Sequence, residues 1–195
     1  MQAPDAMRIF VGVTGASGAI YAVRLLEYLR KLNVEVHLSV SRTAWKIVKH
    51  EVGLDRDSVI SLADYYWEED DLEAPPASGS FRIDAVAVVP CSTKTLAAIA
   101  NGLTTNLITR AAEVALKERR RLVLVVRESP LSLVHIRNME LATVAGAVVM
   151  PAAPPFYHKP KTLEELIDFF VGRILDVLGL EHDFIRRWGR DRLRK

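Results

Sequence analysis

The stretch GVTGASGAIYAVRLL, Gly12 to Leu26, decides the fold. An apolar run enters it, glycines recur at every third position (Gly12, Gly15, Gly18), and an amphipathic pattern leaves it. That order reads as strand, tight turn, helix. Such a junction leaves unpaired N–H groups at the helix start and aims the helix dipole at the same point, which makes an anion site. The spacing is not the G-x-G-x-x-G of dinucleotide loops. The next apolar run, VEVHLSVS, ends on Ser39 and Ser41, where a ribose-binding acid would stand. No Gly-Lys-Ser/Thr follows either, so NAD and P-loop nucleotides both fit poorly. Two readings stay open here: the glycines only pack a helix on a strand, or they cradle some other anion.

Outward from this stretch, MRIFVGVT, VEVHLSVS, DAVAVVP, RLVLVVRE and GAVVMPA form five short, valine-rich runs bounded by turn residues. Near-continuous apolar runs of this kind are strands buried on both faces, as in a parallel sheet. Helical patterns lie at 19–32, 42–51, 93–100, 106–119 and 133–145, with a last amphipathic segment at 163–178. Strand alternating with helix predicts an α/β fold: a Rossmann-like, doubly wound, mainly parallel sheet in three α/β/α layers. We expect one domain over 7–188, an N-terminal extension at 1–6 and a basic tail at 189–195. Residues 55–82, with the acidic WEEDDLE and the flexible PPASGS, read as a surface loop or lid.

Composition narrows the function. Half of the 195 residues are apolar and the formal charge is only +2, which gives nucleic acid no broad basic surface. The terminal RRWGRDRLRK reads as a solvated tail. No apolar run reaches the eighteen or so residues of a membrane span, and the start resembles no signal peptide, so a cytoplasmic protein without membrane or nucleic-acid partners is expected. The single cysteine, Cys91, cannot form an internal disulfide, and the five histidines show no metal-ligand spacing.

The strand ends carry the chemistry. Open α/β sheets bind ligands outside the carboxyl ends of their strands. Those ends here are Thr14 and Ser17; Ser41; Pro90-Cys91-Ser92-Thr93-Lys94-Thr95; and Arg127-Glu128-Ser129-Pro130. Ser41 and Ser92 also suit helix N-caps. Hydroxyls, a lysine and an Arg-Glu pair on one edge suit a phosphorylated, partly planar ligand. On the last helix, the spacing places Arg173 within or beside the apolar arc formed with Phe169, Phe170 and Val177, away from Glu164, Asp168 and Asp176. A buried cation needs an anionic partner, and a snorkelling side chain or a salt bridge across an interface stands about even with a bound phosphate. Glu51 ends the second helix, where it reads as a tolerated surface acid. The apolar arc of 163–178 and the adjoining PAAPPFYHKP suggest surface that a monomer would leave exposed.

Together, TGASGAIY, PCSTKTL, LITRAAEVALKERRRLVLVVRESP and PAAPPFYHKP resemble the UbiX-type flavin prenyltransferases, over about residues 7–188. The departures are Ser129 before Pro130, where relatives often have Ala or Thr, and the two terminal extensions. The resemblance implies transfer of a dimethylallyl group from dimethylallyl monophosphate to N5 and C6 of reduced FMN, without a metal. The product, prenylated FMN, then goes to a UbiD-type decarboxylase. It also implies a homododecamer with sites at subunit interfaces. By the same resemblance, Gly15, Ala16, Ser17, Ser41, Ser92, Thr93, Lys94, Thr95 and Arg127 are FMN contacts. Tyr157, Arg173, Lys117 and Arg110 are similar to donor-phosphate groups; the last two lie seven residues apart, hence on one helix face. Glu51 and Glu128 match active-site acids, Ser17 and Lys117 also fall among the catalytic groups, and Trp188 resembles an aromatic that shuts the pocket. The rival readings are an FMN carrier subunit of a decarboxylase complex and an FMN-dependent cysteine decarboxylase.

Overall fold

The computed structural model describes residues 6–189, so the 1–6 extension and the 189–195 tail lie, but for residues 6 and 189, outside the described residues. Six strands form one sheet: β1 (Arg8–Val13), β2 (Glu35–Val40), β3 (Tyr65–Trp67), β4 (Ala85–Cys91), β5 (Arg121–Val126) and β6 (Val148–Pro151). Their order is β3-β2-β1-β4-β5-β6, and every pairing is parallel. The helices are α1 (Ala19–Lys31), α2 (Arg42–Glu51), α3 (Arg56–Ile60), α4 (Thr93–Ala100), α5 (Leu107–Lys117), α6 (Leu133–Ala145) and α7 (Leu163–Leu178). The predicted doubly wound, three-layer architecture is the one observed.

The layers follow from strand alternation. Ile9, Val11 and Val13 pack under α1, α2 and α7 with Leu25, Leu26, Ile174 and Leu175. Phe10 points the other way, into a second core with Leu96 of α4 and Leu107 and Ile108 of α5. β4 is buried at every position and β1, β2 and β5 at all but the first, which is why their sequences read as continuous apolar runs. The winding reverses between β1 and β4, and the crevice above that switch point is the place for a ligand.

Gly12 and Gly18 do different jobs. A Cβ on Gly12 would lie 2.6 Å from Cγ2 of the fully buried Ile108, so this glycine lets β1 press against α5. Gly12→Ala is expected to lower stability by about 1–3 kcal/mol, read as a fallen urea midpoint at unchanged m-value. Gly18 sits at φ 103°, a left-handed conformation that glycine adopts freely, and starts α1.

Three expectations need correction. Residues 55–82 are not a plain loop: they carry α3, β3 and a short 3₁₀ turn at Pro75–Ala77. β3 forms because Tyr65 and Trp67 stack on buried His37, and the Trp67 indole N–H donates to His37 Nδ1 at 3.2 Å. PPASGS is held down, not flexible. Arg110 donates to the Ala77 carbonyl, and Arg120 donates to those of Gly79 and Phe81.

The apolar arc of α7 is also spent inside the chain, where Ile174, Leu175 and Leu178 are fully buried. Apolar surface is instead left on α6 and the edge strand β6, at Leu133, Val134, Ile136, Leu141, Val144 and Val148. The other half of that expectation stands, since Phe156 and Tyr157 are exposed.

Candidate active site at the carboxyl edge of the sheet

The ends of β1, β2 and β4 enclose a cavity of about 280 Å³. Gly15, Ser41, Ser92, Thr93, Lys94 and Thr95 line it, as the sequence suggested. Ser41 caps α2, accepting the Ala44 N–H at 3.2 Å, and Ser92 caps α4, accepting that of Thr95 at 3.2 Å. The cap reading therefore holds, and the same hydroxyls still border the cavity. Thr14 fixes the mouth: its hydroxyl donates to the Pro90 carbonyl at 2.8 Å and accepts the Ser92 N–H at 2.8 Å. Cys91 ends β4 fully buried, and burial pushes its thiol well up, so it supplies no thiolate at this edge.

Sequence reasoning missed Thr43, Glu69, Asn106 and Thr109, which share the cavity wall. Glu69 accepts from the Arg42 N–H at 2.7 Å and from the Asn106 amide at 3.2 Å, so it ties α2 to α5 across the opening. Its place in an acidic run hid this. For Asn106 a local signal existed, the Asn-x-x-Thr capping box with Thr109.

The glycine turn holds an anion, and the chain supplies it. Glu51, read as a tolerated surface acid, bends back from the end of α2 and accepts the N–H groups of Gly18 at 2.8 Å and Ala19 at 3.0 Å. Ser17 also hydrogen-bonds it, and Arg127 lies close enough to act on its charge. Burial pushes the Glu51 carboxyl up, but these hydrogen bonds and the Arg127 charge outweigh it and hold it below the ordinary 4.5. A folded-state value below the unfolded one stabilises the fold above the unfolded value, and that stabilisation is lost as pH falls through the folded one. Glu51→Gln is therefore expected to flatten the loss of thermal stability below about pH 4.5 while leaving the neutral-to-alkaline limb in shape. Scanning melting temperature against pH in both proteins checks this.

Ser17, Glu51 and Arg127 thus form one cluster. Tyr21 joins it: burial raises its hydroxyl, and the Arg127 charge opposes that rise. Ala16 is buried in the turn beside it, and Glu128 is exposed, one of its carboxylate oxygens accepting the Ser129 N–H at 3.0 Å.

Beyond the end of β6, a second cavity of about 640 Å³ brings together Tyr157, Arg173 and Trp188. The Tyr157 ring stands edge-on to Phe169 (5.4 Å, 86°) and to Trp188 (5.4 Å, 90°). Arg173 lies beside the apolar arc, as expected, but not away from Asp176: its side chain is 48% exposed and pairs with Asp176 at 2.6 Å, one turn along α7. It lies at the edge of the apolar arc, where a long side chain reaches the acidic face and still borders the cavity. Asp176 also holds Arg187 and His182, at 2.9 and 3.1 Å.

Arg110 and Lys117 do share a helix face, but that face packs on residues 75–79, and neither borders these two cavities. Arg110 pairs with Glu113 at 2.6 Å, and Lys117 pairs with Glu118 beside Gly79.

The Flavoprotein family profile matches residues 2–175. The "Flavin prenyltransferase UbiX" of Methanocaldococcus jannaschii is 51% identical over 183 residues, covering 94% of this chain and 99% of that protein. Among solved structures, AnUbiX (PadA1) in complex with FMN and dimethylallyl pyrophosphate matches with a TM-score of 0.92 and 51% identity. That match covers 94% of this chain and 97% of that one. A dodecameric FMN-dependent UbiX-like decarboxylase from Escherichia coli O157:H7 matches with a TM-score of 0.91 and 45% identity, covering 93% of this chain and 99% of that one.

Proposed function

Because the chain belongs to the Flavoprotein family and, within it, to the flavin prenyltransferases, we propose that it moves a dimethylallyl group from dimethylallyl monophosphate onto N5 and C6 of reduced FMN. One observation carries the reading. The sheet edge holds two separate groups of phosphate-competent side chains, the hydroxyl-lined cavity and the Tyr157–Arg173 groove. An FMN carrier subunit needs only the first. A cysteine decarboxylase with a catalytic histidine fits neither, since no histidine borders the strand-edge cavity among the described residues.

The residues suit FMN. Ser41, Ser92, Thr93 and Thr95 offer hydroxyls at two helix starts, Lys94 offers a cation and Gly15 lines the same cavity; Ala16, Ser17 and Arg127 do not line it, and in this reading they meet the ring beside it. Bound reduced FMN supplies the nucleophilic N5 and C6. Arg173 and Tyr157 hold the donor phosphate and stabilise the charge that grows on its oxygen as the C–O bond breaks and its electron pair stays with phosphate. The faces of Tyr157 and Trp188 exclude water and steady the positive prenyl carbons. Two protons leave the flavin, from N5 and C6; one is added to the alkene as the ring closes and one leaves with phosphate. Ser17 donates to ionised Glu51, which leaves its oxygen free to accept at N5–H, and Glu128 or the departing phosphate takes the C6 proton.

In this reading Arg110 and Lys117 reach a donor phosphate across a subunit boundary, in a homododecamer like the solved Escherichia coli relative. The exposed apolar residues of α6 support such burial. In this reading the reaction is cytoplasmic and its product serves a UbiD-type decarboxylase; among the described residues no helix is long and apolar enough to cross a membrane. The reading predicts that a filtrate of protein, reduced FMN and dimethylallyl monophosphate activates an apo-decarboxylase of that type. A filtrate made with Arg173→Ala protein should not. Equal activation by both filtrates contradicts the reading.

A further inference from the structure

Three helices begin at the hydroxyl-lined cavity: Ser41, Ser92 and Asn106, the N-caps of α2, α4 and α5, all border it. Each start presents unpaired N–H groups and the positive end of a dipole, so three of them offer places for more than one phosphate. Glu69 changes that count. Its carboxylate accepts the first N–H of α2, from Arg42 at 2.7 Å, and its carbonyl accepts the first N–H of α5, from Leu107 at 2.7 Å. Its other carboxylate oxygen accepts from the Asn106 amide at 3.2 Å. Within the acidic run 68–73 it is the one residue on the cavity wall.

The start of α4 is left open. The N–H groups of Thr93 and Lys94, in its first turn, have no protein acceptor among the described residues. The Lys94 side chain is exposed on the same wall and makes no ion pair among them, with Glu69 or any other acid. Glu69 is also held in place. The Leu107 N–H fixes its backbone, and Trp67, two residues earlier, donates to buried His37 at 3.2 Å. One side of the cavity is therefore free to take an anion, and the other already contains one.

We propose that Glu69 is a resident anion that limits this cavity to one phosphate, and is thereby the residue that selects a flavin mononucleotide over a flavin dinucleotide. The inference rests on the FMN reading above and adds the group that sets its specificity. FMN ends in a single phosphate, which the start of α4 and Lys94 hold. FAD carries a second phosphate and an adenosine beyond the first, and that phosphate has to share the starts of α2 and α5 with the Glu69 carboxylate. Two anions brought together there repel, and the first N–H groups of both helices are already taken. Discrimination of this kind works by penalising the wrong ligand, not by improving the right one.

Calorimetric titration of the full chain with oxidised FMN, FAD and riboflavin tests this, beside a melting curve for each variant. The wild-type chain should bind FMN about 100-fold more tightly than FAD, and Glu69→Gln should narrow that preference about tenfold by gaining affinity for FAD. Glu69→Asp keeps the charge and should keep the preference. A second arm needs no variant: inorganic diphosphate should displace FMN from the wild-type chain no better than inorganic phosphate does. An unchanged preference in Glu69→Gln, an equal fall for both nucleotides, or a gain for riboflavin as large as that for FAD overturns the role of Glu69. So does wild-type binding of FAD as tight as that of FMN, or a diphosphate advantage of about tenfold in displacement. Each of these leaves the FMN reading standing, whereas failure of the wild-type chain to bind FMN overturns that reading and this inference together.

Discussion

Arg173→Ala should reduce prenyl transfer by about 10²- to 10³-fold while FMN binds as before, because a preorganised cation aimed at developing charge is worth that much in a dry site. The expected split follows from position. Arg173 borders the groove beyond β6 and has no part in the hydroxyl-lined cavity, so flavin affinity should not depend on it. The variant should also fold. Asp176, its present partner, keeps Arg187 and His182, and the exposed Arg173 pair is worth little to stability. Parallel flavin titration, melting and single-turnover transfer separate the outcomes. Loss of folding or of FMN binding assigns Arg173 a structural role instead.

Lys117→Ala should lower transfer on a similar scale, about 10²-fold or more, although Lys117 borders neither cavity in its own chain. A cation supplied by a neighbouring subunit would reconcile that loss with its position. The decisive arm is complementation. Mixed assemblies of Arg173→Ala and Lys117→Ala chains contain some sites whose groove and whose incoming lysine are both intact, so co-expression should recover activity that neither variant has alone. If the mixture stays as inactive as the separate variants, Lys117 acts within its own chain.

Much of this was legible in the sequence, and what escaped had a common cause. β1, β2, β4 and β5 announce themselves as valine-rich runs because both faces are buried, and the ends of the first three listed Thr14, Ser41, Ser92, Thr93 and Thr95 of the first cavity in advance. β3 was hidden because Tyr65–Trp67 owes its strand to His37, about thirty residues away. Glu51 looked like a stray acid because the N–H groups it caps lie 33 residues earlier. Glu69 disappeared into a charge run for the same reason, its partners being Arg42 and Asn106.

For Arg173 the position was legible and the partner was not. A helical wheel places a Cα on a face, but a long side chain at the border of the apolar arc reaches Asp176 and escapes burial. Local periodicity thus carried the layers and strand ends, and long-range pairing, which leaves no local pattern, carried the rest.

The central claim is covalent: the flavin that leaves this protein is heavier than the flavin that entered. Anaerobic incubation with reduced FMN and dimethylallyl monophosphate, followed by mass spectrometry of the extracted flavin, tests it most directly. A gain of one five-carbon prenyl unit, dependent on both protein and donor and lost in Arg173→Ala, is the predicted result. FMN recovered bound but unmodified, under conditions where the donor is present and the flavin reduced, would contradict the account and leave a flavin-binding protein without the transfer.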